Sequence, residues 1–166
     1  MTRLLQYRFI NLWIFLFCVA LLGIAYYMEH VMFLEPCPLC ITQRIFFFLA
    51  GLTAFVAFLA NPAARGRMGF GLTSAAFALA GGGFALRQIW LQNLPPDQVP
   101  ACGPSLSYMI EEFPFSEVLQ AMLSGDGNCA EKGWVDPVLA LSIPQWSLIG
   151  FIMLTALCVW QSLRKA

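Results

Sequence analysis

Charged side chains are scarce in this chain, and the few that occur are unevenly placed. Asp, Glu, Lys and Arg make up 11% of the 166 residues, whereas 60% are hydrophobic, a balance that soluble domains rarely show. No acidic residue precedes Glu29 or follows Asp136, and His30 is the single histidine. The high hydrophobic content indicates a membrane protein. The sequence has no basic patch for nucleic acid, so we expect no nucleic-acid partner.

Four stretches are long and apolar enough to span a bilayer: residues 9–28, 41–60, 69–86 and 143–160. Because the backbone cannot bond water in hydrocarbon, each span must be a helix. The sequence therefore predicts an all-α membrane protein, with residues 1–166 forming one four-transmembrane-helix bundle. A signal peptide is the competing interpretation of the first stretch, but that stretch is too long and no A-x-A-like site follows it.

Charge placement predicts the topology of the bundle. All nine acidic residues lie in the stretches that follow the first and third spans. By the positive-inside rule, both termini and the second connection are cytoplasmic, and the loops at residues 29–40 and 90–142 face outward. The basic residues that support this orientation are Arg3, Arg8, Arg65, Arg67, Arg164 and Lys165.

The second outward loop is the only connection with room for a partner-binding surface. Its six prolines keep most of it from being regular helix. Residues 116–123 differ, because Val118, Leu119, Met122 and Leu123 share one stripe, which predicts a short amphipathic helix. That helix either lies along the membrane surface or packs on a small core of the loop.

The most informative motif is Cys37-Pro38-Leu39-Cys40, at the start of the second span. A CxxC pair indicates redox or metal chemistry. A disulfide across two residues closes a tiny loop and adds little stability, so it serves better as an exchangeable bond than as a staple. A four-cysteine zinc site would need Cys102 and Cys129, which are too far apart in sequence for a zinc knuckle, and we predict no metal site.

Arg44 follows Cys40 by four residues and projects from the same helix face. It can stabilise a Cys40 thiolate, donate to a quinone carbonyl, or extend to lipid phosphates. Beside a CxxC motif the first two roles are favoured.

The other cysteines fall into two groups. Cys102 and Cys129 lie in the long outward loop, where they form either a structural disulfide or an exchangeable one. Cys18 and Cys158 lie deep within the first and fourth spans, and we predict no role for them beyond packing.

Taken together, these motifs resemble the disulfide bond formation protein B (DsbB) family, the quinone-dependent thiol oxidases of the bacterial inner membrane. The resemblance covers nearly the whole chain. It is carried by His30-Val31-Met32, Pro36-Cys37-x-x-Cys40 with Arg44, Arg87-Gln88-x-Trp90-Leu91-Gln92, Cys102, Gly127-Asn128-Cys129-Ala130-Glu131, Trp134 and Pro144-Gln145-Trp146.

The resemblance implies a relay of thiol–disulfide exchanges. A periplasmic DsbA-type oxidase with a thioredoxin fold is expected to be oxidised by a Cys102–Cys129 disulfide, with Cys102 forming the mixed disulfide. Cys129 then exchanges with Cys37. Cys40, assisted by Arg44, passes the electrons to ubiquinone or menaquinone in the membrane pool.

Three questions stay open from the sequence. Position 43 is Gln rather than the acid of some family members, and this difference can change the reduction potential of the Cys37–Cys40 pair. The partner is either a general DsbA or a dedicated homologue, as in the DsbI-like branch. The rival functions are a quinone reductase like vitamin K epoxide reductase, whose CxxC lies late in the chain, and a disulfide-stapled scaffold without enzymatic activity.

Overall fold

The computed structural model describes residues 2–104 and 106–163, and within them the fold is helical. No β-strand occurs in these ranges, where one isolated antiparallel bridge pairs Val135 with Ser142. Two residues of the charge argument, Arg164 and Lys165, lie outside the described residues. The helices are α1 (Thr2–His30), α2 (Pro38–Ala60), α3 (Ala64–Leu91), α4 (Leu106–Glu112), α5 (Phe115–Ser124) and α6 (Ile143–Leu163).

Helices α1, α2, α3 and α6 are each long and apolar enough to cross a membrane. The prediction of an all-α protein with four membrane-spanning helices is therefore confirmed. That the whole chain forms a single membrane domain stays a prediction. The end of the bundle where α1 and α3 finish and α2 and α6 begin is called the cysteine end below, because the CxxC motif lies there.

The observed helices extend beyond the predicted spans. Helix α2 begins at residue 38 rather than 41, and α3 covers residues 64–91 rather than 69–86. The predicted α3 span stops short of Arg67 and Arg87, whereas the helix continues through both. Helix α2 begins earlier because Pro38 suits the first turn of a helix. A helix continues until its backbone hydrogen bonds are interrupted. At the end of α2 this happens at Asn61, which adopts the left-handed conformation (φ 40°, ψ 58°) and donates its N–H to the carbonyl of Ala57.

Close contact between α3 and α6 depends on glycine. A Cβ on Gly81 would lie 2.3 Å from the ring of Phe151, so only glycine admits that ring against the α3 backbone. The Phe151 ring in turn stacks on Phe47 of α2, with centroids 3.8 Å apart. This stack joins three helices at the centre of the apolar core, which also includes Ile14, Cys18, Ala54, Ala78, Leu154 and Cys158.

The predicted amphipathic helix in the long loop exists as α5 and packs against α2. Val118 is buried, and the hydroxyl of Thr42 donates to the carbonyl of Met122 at 2.8 Å. The opposite face is open, with Phe115 79% and Leu123 51% exposed. One side of α5 is thus fixed to the bundle. A membrane surface against its exposed apolar side stays a prediction.

Candidate functional site

The CxxC motif forms the turn that begins α2. Cys37 is the N-cap residue and Pro38 lies in the first turn, where its missing N–H costs no helical hydrogen bond. The backbone N–H of Cys40 donates to Cys37 Sγ at 3.4 Å, and the two Sγ atoms are 2.8 Å apart. Free N–H groups and the positive end of the helix dipole make this a favourable place for a thiolate.

Gln88 of α3 contacts both sulfurs of the motif. Its Nε2 lies 3.2 Å from Cys40 Sγ and 3.3 Å from Cys37 Sγ. Its Oε1 accepts a hydrogen bond of 2.6 Å from Gln43 Nε2. The sequence motifs did not indicate these contacts, although a polar side chain buried in a membrane-spanning helix is in itself a sign of function.

Cys129 lies in a 3₁₀ turn, Gly127–Ala130, that packs against the start of α2 and the end of α3. Its side chain is fully buried in a small apolar cluster that Cys37 borders. Hydrogen bonding with Cys129, hydrogen bonding with Cys40, and burial together raise the pKa of Cys37. The Cys37 thiol therefore keeps its proton between two neighbouring sulfurs.

Cys102 lies on the exposed side of the same turn. The N–H of Gly127 donates to the carbonyl of Ala101 at 3.1 Å, and Asn128 Nδ2 donates to the carbonyl of Gly103 at 2.9 Å. A Cβ on Gly127 would come within 2.9 Å of Cys102 Sγ. These contacts hold the exposed Cys102 beside the turn that carries the buried Cys129.

Arg44 contacts α1. It forms an ion pair with Glu29, and its NH2 group donates to the carbonyl of Ala25 at 3.3 Å. Glu29 is a partner that the sequence motifs did not indicate, because the side chains are 15 residues apart on different helices. The guanidinium is one turn beyond Cys40 in α2 and is about one quarter exposed.

The two remaining cysteines belong to the core. Cys18 and Cys158 are buried in α1 and α6, and the Cys158 thiol lies 3.4 Å from Ser74 Oγ. The four cysteines predicted to react are therefore those at the cysteine end, and all six are free thiols in this structure.

Comparison with known proteins agrees with the motifs. The profile of the family described as "Disulfide bond formation protein DsbB" matches residues 7–161. Disulfide bond formation protein B of Saccharophagus degradans is 50% identical over 165 residues, covering 99% of this chain and 98% of that protein. Disulfide bond formation protein B 1 of Pseudomonas aeruginosa is 47% identical over 152 residues, 92% of each chain. The protein of the same name, without the numeral, from Acinetobacter baumannii is 44% identical over 161 residues, which is 96% of this chain and 93% of that protein. The chain described here belongs to the disulfide bond formation protein B family.

Proposed function

We propose that this protein is a disulfide-generating oxidoreductase that reoxidises a periplasmic DsbA-type dithiol oxidase and passes the electrons to membrane quinone. The observation that carries the proposal is the order of the four cysteines. Cys102 is exposed, the neighbouring turn buries Cys129, Cys129 is hydrogen-bonded with Cys37, and Cys37 touches Cys40. Such a series leads from a surface open to a protein partner to a helix at the membrane.

The proposed exchange moves two electrons inward. A thiolate of the partner attacks Cys102 of a Cys102–Cys129 disulfide, and Cys129 leaves as a thiolate. The second thiolate of the partner then displaces Cys102, so the partner departs oxidised. Cys129 attacks Cys37 of a Cys37–Cys40 disulfide and releases Cys40. Attack of Cys102 on Cys129 restores the first disulfide and leaves Cys37 and Cys40 reduced.

In this proposal the electrons leave the protein through the Cys37–Cys40 pair. Ubiquinone or menaquinone would take up two electrons and two protons as Cys37 and Cys40 return to the disulfide. The residues present fit such an acceptor: a guanidinium carries five N–H donors, and the contacts of Arg44 with Glu29 and Ala25 engage NH1 and NH2 once each. Arg44 would thus hold a quinone carbonyl oxygen one helical turn from Cys40.

The relay requires a defined orientation in the bacterial inner membrane. We propose cytoplasmic termini and a periplasmic cysteine end, because Arg65 and Arg67 lie at the opposite end, in the first turn of α3. A membrane-impermeant maleimide applied to spheroplasts should label the reduced parent protein at Cys102. It should not label an Asn61→Cys variant, changed at the end of α2, in which Cys37, Cys40, Cys102 and Cys129 are replaced by alanine. The reverse labelling pattern would refute this orientation.

Reconstitution tests the reaction itself. Reduced DsbA-type protein, this protein and a ubiquinone analogue are mixed without oxygen, and quinone absorbance is followed together with partner thiols. We expect one quinone to be reduced for each partner disulfide formed, and no turnover by Cys102→Ser. Partner oxidation without quinone loss would refute the proposal.

Quinone starvation separates this relay from a stapled scaffold. When quinone is depleted in living cells, electrons should accumulate on the cysteine pairs, and alkylation should detect new thiols. In a scaffold the disulfides are inert, so the outward cysteines would stay fully oxidised. That result would support the scaffold instead.

A further inference from the structure

Two buried glutamines form a hydrogen-bonded pair directly behind the CxxC motif. Gln43 of α2 and Gln88 of α3 are each 3% exposed, and Gln43 Nε2 donates to Gln88 Oε1 at 2.6 Å. Both belong to membrane-spanning helices, where an amide that lacks a hydrogen-bond partner is strongly disfavoured. Each side-chain amide is therefore held in the orientation that lets it hydrogen-bond to the other.

The hydrogen bond between the two glutamines fixes which end of the Gln88 amide faces the cysteines. A carboxamide presents a carbonyl at one end and an NH2 group at the other. Because the carbonyl of Gln88 accepts from Gln43, its NH2 group faces Cys40 Sγ at 3.2 Å and Cys37 Sγ at 3.3 Å. The Cys40 thiol also lies 3.7 Å from Gln88 Oε1, a longer and weaker contact that competes with Gln43 for the same oxygen.

Amide donors favour one redox state of the cysteines over the other. A thiolate sulfur is a stronger hydrogen-bond acceptor than a disulfide sulfur, because it carries a full negative charge. An NH2 group pointed at the sulfurs therefore stabilises the reduced pair, with its thiolate, more than the disulfide. A carbonyl in the same place would do the opposite.

We propose that Gln43 is a positioning residue that sets the reduction potential of the Cys37–Cys40 pair, by holding the Gln88 amide with its NH2 group toward the two sulfurs. Gln88 makes the contact with the sulfurs, and Gln43 acts only through Gln88. The inference rests on the proposed function in one respect, namely that Cys37 and Cys40 cycle between disulfide and dithiol.

The test is an equilibrium with glutathione, without quinone or partner. In full-length protein carrying Cys102→Ala and Cys129→Ala, two glutathiones reduce the Cys37–Cys40 disulfide and yield one glutathione disulfide. Alkylation of the two thiols reports the equilibrium constant. We expect Gln88→Leu to lower that constant at least tenfold, which corresponds to about 30 mV for a two-electron couple. Gln43→Leu should lower it in the same direction, and the double variant should match Gln88→Leu alone.

A charge variant gives a sharper form of the test. The carboxylate of Gln43→Glu cannot donate to Gln88 Oε1 but accepts from its Nε2, which turns the Gln88 carbonyl toward the sulfurs. Gln43→Glu should therefore lower the constant further than Gln43→Leu does. Gln92→Leu is the matched control, because Gln92 follows α3 by one residue and contacts Glu131 and Ser142 rather than cysteine. It should leave the constant unchanged.

The outcomes are distinct. If Gln43→Leu and Gln43→Glu stay within twofold of the parent while Gln88→Leu shifts, the positioning role of Gln43 is refuted. If Gln88→Leu also stays within twofold, the amide does not tune the pair at all. Failure of the parent to pass electrons to a quinone analogue would refute the proposed function, yet the glutathione equilibrium would still decide the role of the two glutamines.

Discussion

Arg44 on α2 forms an ion pair with Glu29, the penultimate residue of α1. The second terminal nitrogen of Arg44 donates to the carbonyl of Ala25, so two contacts tie the guanidinium to α1. A cation at the edge of a membrane-spanning helix is costly unless it has such partners. The ion pair thus keeps the charge near Cys40 without using all of its donors.

Removal of this cation should slow electron transfer to quinone and spare the exchange with the protein partner. For Arg44→Gln we expect a loss of about 10- to 100-fold in the rate of quinone reduction, because a hydrogen bond from a charged group contributes about 1.5–3 kcal/mol. Stopped-flow quinone absorbance measures the first rate, and single-turnover oxidation of reduced partner measures the second. Arg65→Gln, at the opposite end of the bundle, is the control. Wild-type quinone kinetics in Arg44→Gln would rule out its role at the acceptor.

Loss of Cys102 should separate the two halves of the relay. Cys102→Ser removes the exposed sulfur that the partner is proposed to attack, so partner oxidation should fall to background. The Cys37–Cys40 disulfide should still be regenerated by quinone after reduction by a small thiol, which alkylation and mass spectrometry can follow. Cys18→Ala, a change in the core, should leave partner oxidation intact. A Cys37–Cys40 pair that stays reduced in Cys102→Ser, with quinone present, would contradict the relay order.

The helices and the position of the CxxC motif were predictable because they follow from local sequence. Apolar runs of membrane length must be helical, and the stripe on residues 116–123 identified α5 within one residue at each end. Proline at position 38 also suits only the start of a helix. These features depend on residues close together in the chain.

The contacts around the sulfurs were not predictable, because they join distant residues. Gln43 and Gln88 are 45 residues apart, and Arg44 and Glu29 are 15 apart on different helices. Whether two such side chains meet depends on the rotation and relative height of each helix, which hydropathy does not encode. Two glycines of α3 show the same limit: a Cβ on Gly81 would lie 2.3 Å from the ring of Phe151, whereas a Cβ on Gly83 would meet nothing within 4 Å, and the sequence around them does not distinguish the two positions.

These two glycines provide a matched test of helix packing. Gly81→Ala should destabilise the bundle, because its Cβ would overlap the Phe151 ring, and overpacking costs about 1–3 kcal/mol. Gly83→Ala should be neutral or stabilising, because alanine is favoured over glycine in a helix by about 1 kcal/mol. Thermal unfolding in detergent, read by circular dichroism, should give a lower Tm for the first variant only. Equal Tm values would show that α6 shifts to accommodate the methyl group.

In the proposed relay, the raised pKa of Cys37 would slow the return of electrons to the loop, and this pKa can be measured. A thiol is a poor nucleophile, so a reduced Cys37 whose pKa is raised resists attacking a Cys102–Cys129 disulfide and returning electrons to the loop. Hydrogen bonding with Cys129 is the largest cause of that raised pKa. Cys129→Ala should therefore lower the pKa of Cys37, increasing its thiolate fraction at any given pH near neutrality.

The measurement is the pH profile of Cys37 alkylation in fully reduced protein, resolved by peptide mass spectrometry. In Cys129→Ala the midpoint of the profile should move to lower pH. If the substitution only improved access to Cys37, the alkylation rate would rise by the same factor at every pH and the midpoint of the profile would stay in place. A change in pKa can therefore be separated from a change in accessibility. Cys129→Ser, whose hydroxyl still accepts a hydrogen bond, should lie between the parent and the alanine variant. An unmoved midpoint in Cys129→Ala would mean that Cys37 keeps its proton without Cys129, and that the barrier to reverse transfer lies elsewhere.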